Sequence, residues 1–284
     1  GDRVVVDAPT YPMALSAIQG ASCRPVSVAL PQQGWDCDGL AATIAQTAPR
    51  LTWLMPDFHN PTGRCMDAAT RQTITDIAAQ TRTTLVVDET MVDLWFDVPP
   101  PPPLAAFNPE ATVMTLGSAG KSFWGGLRLG WIRASSRTIA TLAQTRDTLD
   151  LGSPVLEQLA TLWLIENSAT FLPARRQMLA ERRDRCGQML REHFPEWRFQ
   201  EAEGGLSYWI ELPGMLATQL AARAETTGII MGTGTRFGLS GAFDRYLRMP
   251  FSLSSPELEE ALLRIKPLWR ALNKSVAPVK RSLV

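Results

Sequence analysis

The chain has 284 residues, 45% of them apolar and 20% charged, which is enough for one large or two ordinary globular domains. Its 28 basic side chains balance 28 acidic ones, so no global field draws it to nucleic acid or an anionic membrane. Four scattered cysteines without C-x-x-C spacing and only two histidines argue against zinc and for a reducing, cytoplasmic location, and no apolar run suits a membrane span or a signal peptide.

The chain opens at Gly1, not methionine, and runs at once into a strand, so it is read as part of a longer protein. Arg3 to Val6 is that strand, and it leads into Asp7-Ala8-Pro9-Thr10-Tyr11-Pro12. Loops leaving the carboxyl ends of strands in open α/β sheets are where ligands bind. Tyr11, set between two prolines, also fits a plain tight turn. Pro12 to Gln19 reads as a helix stopped by Gly20, Arg24 to Ala29 as a strand and Leu40 to Thr47 as a helix.

Leu51 to Met55 is the next buried strand, and it delivers Pro56-Asp57-Phe58-His59-Asn60-Pro61-Thr62-Gly63. Asn-Pro-Thr-Gly alone is a turn signal. An asparagine amide there can also donate to an anionic oxygen without adding charge. His59 reads as a structural neighbour of that asparagine. Asp67 caps a helix through about Gln80. Thr84 to Val87 then makes a buried strand ending in Asp88-Glu89. An acid at the end of an apolar strand needs a partner, which a helix cap or an ion pair would also supply. Pro99 to Pro103 is an extended surface segment.

Thr112 to Leu116 is a further core strand, and after it comes Ser118-Ala-Gly-Lys121-Ser-Phe-Trp-Gly-Gly-Leu-Arg128, followed by an apolar run from Leu129 to Ile132. Lys121 therefore lies in a loop between two expected core strands. It is either a phosphate ligand or a covalent nucleophile. The nucleotide P-loop is disfavoured: its first glycine falls on Thr115, and Phe123-Trp124-Gly125-Gly126 breaks the helix it requires. The covalent option is a Schiff-base lysine, with Ser118 and Arg128 both able to reach one phosphate. Arg128 could also be a surface charge, though its place between Leu127 and Leu129 argues against that.

Ser136 to Arg146, Pro154 to Glu166 and Leu172 to His193 read as helices, the last carrying Arg175, Arg176, Arg182, Arg183 and Arg185 among acidic neighbours, as a solvated face does. Strands at Arg198 to Gln200, Ser207 to Leu212 and Gly228 to Met231, and a helix from Leu216 to Thr226, form a second domain. Gly204-Gly205 permits close backbone approach. In the strand Arg245 to Phe251, alternation sets Tyr246 and Arg248 on one face and Leu247 and Met249 on the other. Arg248 alone could be an edge-strand charge. A closing helix from Pro256 to Leu272 starts at Ser255 as N-cap. The basic residues 273–284 are expected to be disordered.

The pattern S-x-x-K followed by G-L-R-x-G resembles the fold-type-I aminotransferases of class I/II. It is most similar to the aminotransferase-like domains of MocR-type regulators of the GntR family, which the Asp-Phe-His-Asn-Pro-Thr-Gly and Asp-Glu-Thr-Met stretches also resemble. The resemblance runs from Gly1 to about Leu272 and implies an α/β fold. That fold has a mostly parallel, seven-stranded-type sheet with helices on both faces, truncated at its N-terminus, and a smaller α+β C-terminal domain. The implied division is 1–150 for the large domain, 151–195 for linking helices, 196–272 for the small domain and 273–284 for the tail.

The implied cofactor is pyridoxal 5'-phosphate on Lys121, the catalytic residue. Tyr11 would stack on its ring and Asn60 donate to its phenolic oxygen. Asp88 would hold the ring nitrogen, Ser118 and Arg128 the phosphate, and Arg248 the substrate α-carboxylate. Family members usually carry a tyrosine where this chain has Met91, whose thioether cannot donate. The family's glycine- and serine-rich phosphate turn lies upstream of the first strand seen here. Two functions follow: a transaminase acting on an amino acid, or the effector-sensing domain of a MocR-type transcriptional regulator. A homodimer is implied, with no membrane partner, and with DNA reached only through a domain absent from this chain.

Overall fold

A computed structural model describes residues 1–276, with side chains to 273. It divides into two compact units: Gly1–Ala180 with Ala202–Leu206, and Glu181–Glu201 with the residues from Ser207 onward. The boundary at Ala180 lies inside a helix, within the segment 151–195 expected to link the two domains.

The first unit contains β1 (Arg3–Ala8), α1 (Pro12–Gly20), β2 (Arg24–Ala29), α2 (Cys37–Thr47), β3 (Leu51–Leu54), α3 (Ala68–Thr81) and β4 (Thr84–Asp88). It continues with β5 (Val113–Ser118), α4 (Ala119–Ser122), β6 (Gly130–Arg133), α5 (Ser136–Arg146), α6 (Val155–Glu166) and the start of α7 (Ser168–His193). The strands form one sheet of six in the order β2-β1-β3-β4-β5-β6, one fewer than expected. All neighbours are parallel except β6, which runs antiparallel to β5.

Sequence logic accounts for most of this. Asp36 caps α2 by accepting from the Gly39 N–H at 2.8 Å, and Asp67 caps α3 by accepting from Thr70 at 2.7 Å. Alternation in the strands sends Val5, Leu54, Leu85 and Val87 onto Leu40, Ile44, Ile74 and Ala78 of α2 and α3. Each such side chain removed from water is worth about 1.5–3 kcal/mol. Val4, Val6 and Val86 alternate with these and are buried too, as a sheet covered on both faces requires.

Three expectations are corrected here. Lys121 lies in the single helical turn α4, not in a loop. β6 is an edge strand with all four residues exposed, Trp131 at 47% and Ile132 at 45%, so it is not a second core strand. The arginines of α7 are not a solvated face. Arg183 is buried, Arg175 donates to the Lys121 carbonyl at 3.0 Å, and the Arg176 guanidinium lies 4.2 Å from the centre of the Trp95 ring.

The second unit holds the rest of α7, then β7 (Arg198–Phe199), β8 (Ser207–Glu211), α8 (Ala217–Glu225), β9 (Gly232–Thr233), β10 (Tyr246–Pro250) and α9 (Ser255–Val276). Its antiparallel sheet runs β7-β8-β10-β9. Leu247 and Met249 face the core with Tyr208, Ile210, Leu262 and Trp269. The strand expected at Gly228 to Met231 lies at Gly232–Thr233 instead, because its register is set by Leu247↔Thr233 pairing with β10. Ser254, not Ser255, is the N-cap of α9: Glu257 accepts from the Ser254 N–H at 3.1 Å and from its hydroxyl at 2.5 Å. The helix reaches Val276, past the expected end at Leu272. Residues 277–284 of the expected tail lie outside the described residues. Among the described residues no helix is long and apolar enough to cross a membrane, and no group of side chains could hold a metal ion.

Candidate active site

Because β1, β3, β4 and β5 are parallel, their carboxyl ends share one edge of the sheet, and four of the singled-out groups follow from that alone. Tyr11 comes just after β1 and Asn60 after β3, Asp88 closes β4, and Ser118 closes β5 just before Lys121. β6 returns antiparallel with Gly130 opposite Ser118, which brings Arg128 to the same edge. Six of the seven residues therefore meet there, all within the first unit. The seventh, Arg248, belongs to the second unit, where it is half-buried in the middle of β10, paired to Trp209 on one side and Gly232 on the other.

Asp88 is 5% exposed, and burial raises its carboxyl above the usual carboxylate range. Three effects oppose that rise: a hydrogen bond from the Thr90 side chain, the Thr90 N–H, which donates to it at 3.1 Å, and the positive charge of Lys121. The acid and the lysine are thus close enough to feel one another, while the Lys121 side chain is exposed.

Ser118 serves as the N-cap of α4, accepting from the Gly120 N–H at 3.1 Å. Arg128 is exposed, against the sequence expectation, and has the left-handed backbone φ +54°. For a residue with a Cβ that conformation costs about 1 kcal/mol.

The Asn60 loop is held from behind. Arg71, fully buried in α3, donates to Asp57 at 2.6 Å, to the Met66 carbonyl at 3.0 Å and to the Pro102 carbonyl at 3.2 Å. Gly63, at φ +72°, turns the loop so tightly that an added Cβ would stand 2.7 Å from the Ala202 Cβ. Gly204 approaches just as closely, and a side chain there would strike the Phe58 ring and the Leu94 carbonyl. This is the close approach that the glycine pair implied.

His59 is buried beside Asn60. Its Nδ1 bonds the Thr62 hydroxyl at 3.0 Å, and its Nε2 faces the Asp7 carboxylate at 3.9 Å, beyond hydrogen-bond reach. Burial lowers His59 to about 3 and raises Asp7 to about 7, so both are neutral across the range between.

Met91 is 3% exposed and packs among Phe58, Leu94 and Leu179. It is a core side chain, and the position usually given to tyrosine does not present a donor. The chain has three tyrosines in all, and only Tyr11 lies in the first unit.

Sequence reading missed the supports: Arg71, Asp93 and Arg175. Arg71 did leave a signal, since it occupies the inward stripe of α3 with Ile74, Thr75 and Ala78, at helical spacing where a charge must be paired.

A family model described as aminotransferase class I and II matches residues 1–265. An uncharacterized aminotransferase from Saccharolobus solfataricus is 29% identical over 98% of this chain and 71% of that protein. The uncharacterized HTH-type transcriptional regulator YdfD of Bacillus subtilis is 27% identical over 90% of this chain and 54% of its own length. Among solved structures, the alpha-aminoadipate aminotransferase LysN of Thermus thermophilus, complexed with N-(5'-phosphopyridoxyl)-L-leucine, superposes with a TM-score of 0.91 at 27% identity. That match covers 97% of this chain and 73% of LysN. The chain thus spans about seven-tenths of the two aminotransferases and about half of the regulator.

Proposed function

The chain belongs to the aminotransferase class I and II family, and we propose that it acts on an amino acid through pyridoxal 5'-phosphate attached at Lys121, as a transaminase. The donor set suits that cofactor. Asp88 is buried, accepts hydrogen bonds from Thr90 and has no ion pair among the described residues, so a protonated ring nitrogen would give it a charged partner. Ser118 and Arg128 supply a hydroxyl and a guanidinium for a phosphate dianion, Asn60 an uncharged donor for a phenolate, and Tyr11 an aromatic face. When bound, the cofactor supplies an aldehyde and an electron-withdrawing ring that makes the α-proton of an amino acid acidic.

The chain's own part is to bind, orient and move one proton. The Lys121 amine would hold the cofactor through its aldehyde, and its Nζ, once freed, would shuttle the α-proton of the amino acid. Asp88 keeps the ring nitrogen protonated. Arg248 is proposed as the fork for the substrate α-carboxylate on its match to the family's strand. LysN, complexed with a phosphopyridoxyl amino acid, supports the cofactor and substrate class.

The observation that carries this reading is a buried acid and an exposed lysine on neighbouring parallel strand ends, each within the other's field. Added pyridoxal phosphate is expected to give a visible chromophore, and borohydride to fix it on Lys121. Lys121→Ala should show neither, and fixation elsewhere in the wild-type chain would refute the assignment.

A second reading is an effector-sensing domain of a MocR-type regulator. The match to YdfD and the missing donor at Met91 favour it. Release of a keto acid from an amino donor by the full-length protein selects the enzyme. Cofactor binding without turnover selects the sensor.

A further inference from the structure

We propose that Asp93 and Arg175 are positioning residues that clamp the backbone of α4 and so hold Lys121 for reaction, an inference that rests on the cofactor reading above. A helix of four residues cannot sustain itself, because nucleating one turn fixes several dihedral angles for a single hydrogen bond. The chain of α4 leaves at once through Trp124, 67% exposed, and two exposed glycines, and returns to it where the Leu129 carbonyl accepts from the Ala119 N–H at 3.1 Å, at the start of the turn. The end of the turn that carries Lys121 is held by two charged side chains from distant segments. The Ser122 hydroxyl, 2% exposed, donates to the Asp93 carboxylate at 2.6 Å. The Arg175 guanidinium donates to the Lys121 carbonyl at 3.0 Å. One anchor precedes its partner in α4 by 29 residues and the other follows by 54, so the grip is tertiary and not a feature of the turn itself.

The two contacts divide the work. A carboxylate accepting from a hydroxyl and a guanidinium donating to a carbonyl are charge-assisted and stronger than neutral pairs. Both act on the backbone or on Ser122, which leaves the Lys121 side chain free. The amine sits at the end of four torsions, so a turn that rocks spreads it through positions where it cannot meet an aldehyde. Misplacement by about 1 Å costs on the order of 100-fold in rate.

The test compares the full 284-residue chain with Asp93→Ala, Arg175→Ala and the milder Asp93→Asn and Arg175→Lys. The amide oxygen of Asn can still accept from Ser122, and the ammonium of Lys can still reach a carbonyl. The first readout is the rate at which pyridoxal phosphate and borohydride label Lys121, measured by peptide mass spectrometry. Condensation of amine and aldehyde releases water, and borohydride supplies the hydride. The alanine variants are expected to label roughly 10- to 100-fold more slowly, and the conservative variants to recover most of the loss. The second readout is hydrogen exchange in the peptide spanning residues 118–124, which needs no cofactor. Exchange should quicken there in the alanine variants while peptides from α2 and α3 stay unchanged.

Unaltered labelling with unaltered exchange would overturn the clamp. So would a global rise in exchange that the conservative variants share, since that is loss of folding and not of positioning. If the wild-type chain takes no label at all, the cofactor reading fails by itself, and the exchange readout still decides whether α4 is clamped.

Discussion

The loop that carries Asn60 is locked from behind, whereas the segment that carries Lys121 and Arg128 stands in the open. In the first, Asp57, Phe58 and His59 are all buried, and an interior arginine ties the loop to helix α3. In the second, Lys121, Trp124, Gly125, Gly126 and Arg128 are exposed, and a few side-chain contacts fix one helical turn. Both leave the same edge of the same sheet. The difference suits the roles proposed for them. A group that only donates a hydrogen bond can be frozen, but an amine that must first bond an aldehyde and then carry a proton needs room.

The largest expected effect comes from breaking the locked side. Arg71→Ala leaves the Asp57 carboxylate buried without its ion-pair partner, and should cost about 3–5 kcal/mol of stability. Lys121→Ala removes an exposed side chain and should shift stability by no more than about 0.5 kcal/mol. Denaturant melts of the two variants check the contrast. Similar losses in both would mean that the open segment is as integral to the fold as the locked one.

How far this contrast could be read in advance depends on what each feature answers to. β2 and α5 were legible to the residue, because apolar periodicity and a serine cap are local signals. The six groups at the strand ends were legible because each follows a short apolar run. The clamp was not: Asp93 follows a strand end without a motif, Arg175 is one of several arginines in its helix, and only the fold brings the two to α4. The exposure of Arg128 was misread for a related reason. Flanking leucines argue burial, but a left-handed backbone at residue 128 turns its side chain out while Leu127 goes in. Met91 was legible only as a departure, and packing supplies the reason that a thioether is tolerated there: the position belongs to an apolar cluster.

A second, smaller test concerns pH and the buried pair beside Asn60. In the folded chain Asp7 holds its proton up to about pH 7, against an ordinary 3.8, and His59 stays neutral down to about 3, against an ordinary 6.5. Between roughly 4 and 6.5 the folded pair carries one proton, on Asp7, and the unfolded pair also carries one, on His59. Equal proton counts mean no slope, so the pair leaves stability flat across that window. His59→Gln removes one side of the balance. Asp7 then acts alone, and a raised carboxyl gives stability that is full below its unfolded value and lost as pH rises through its folded one. The variant's own stability should therefore fall from about pH 4 to 7, where the parent's stays flat up to about 6.5. Chemical denaturation at four or five pH values measures this, and a variant whose own stability is flat across that window would show that Asp7 titrates normally.

The smallest stability effect is expected on the open side and separates folding from function. Arg128→Gly relieves the left-handed backbone, worth about 1 kcal/mol, but gives the unfolded chain more freedom, which offsets most of that gain. Stability should stay within about 0.5 kcal/mol of the parent. Loss of the guanidinium should weaken pyridoxal phosphate roughly tenfold, the equivalent of about 1.4 kcal/mol, and leave unphosphorylated pyridoxal unaffected. Parallel titrations with the two ligands decide it. If both weaken together, Arg128 shapes the segment and not the phosphate. If neither does, the open segment binds through Ser118 alone, and the strained backbone at residue 128 serves something other than the cofactor.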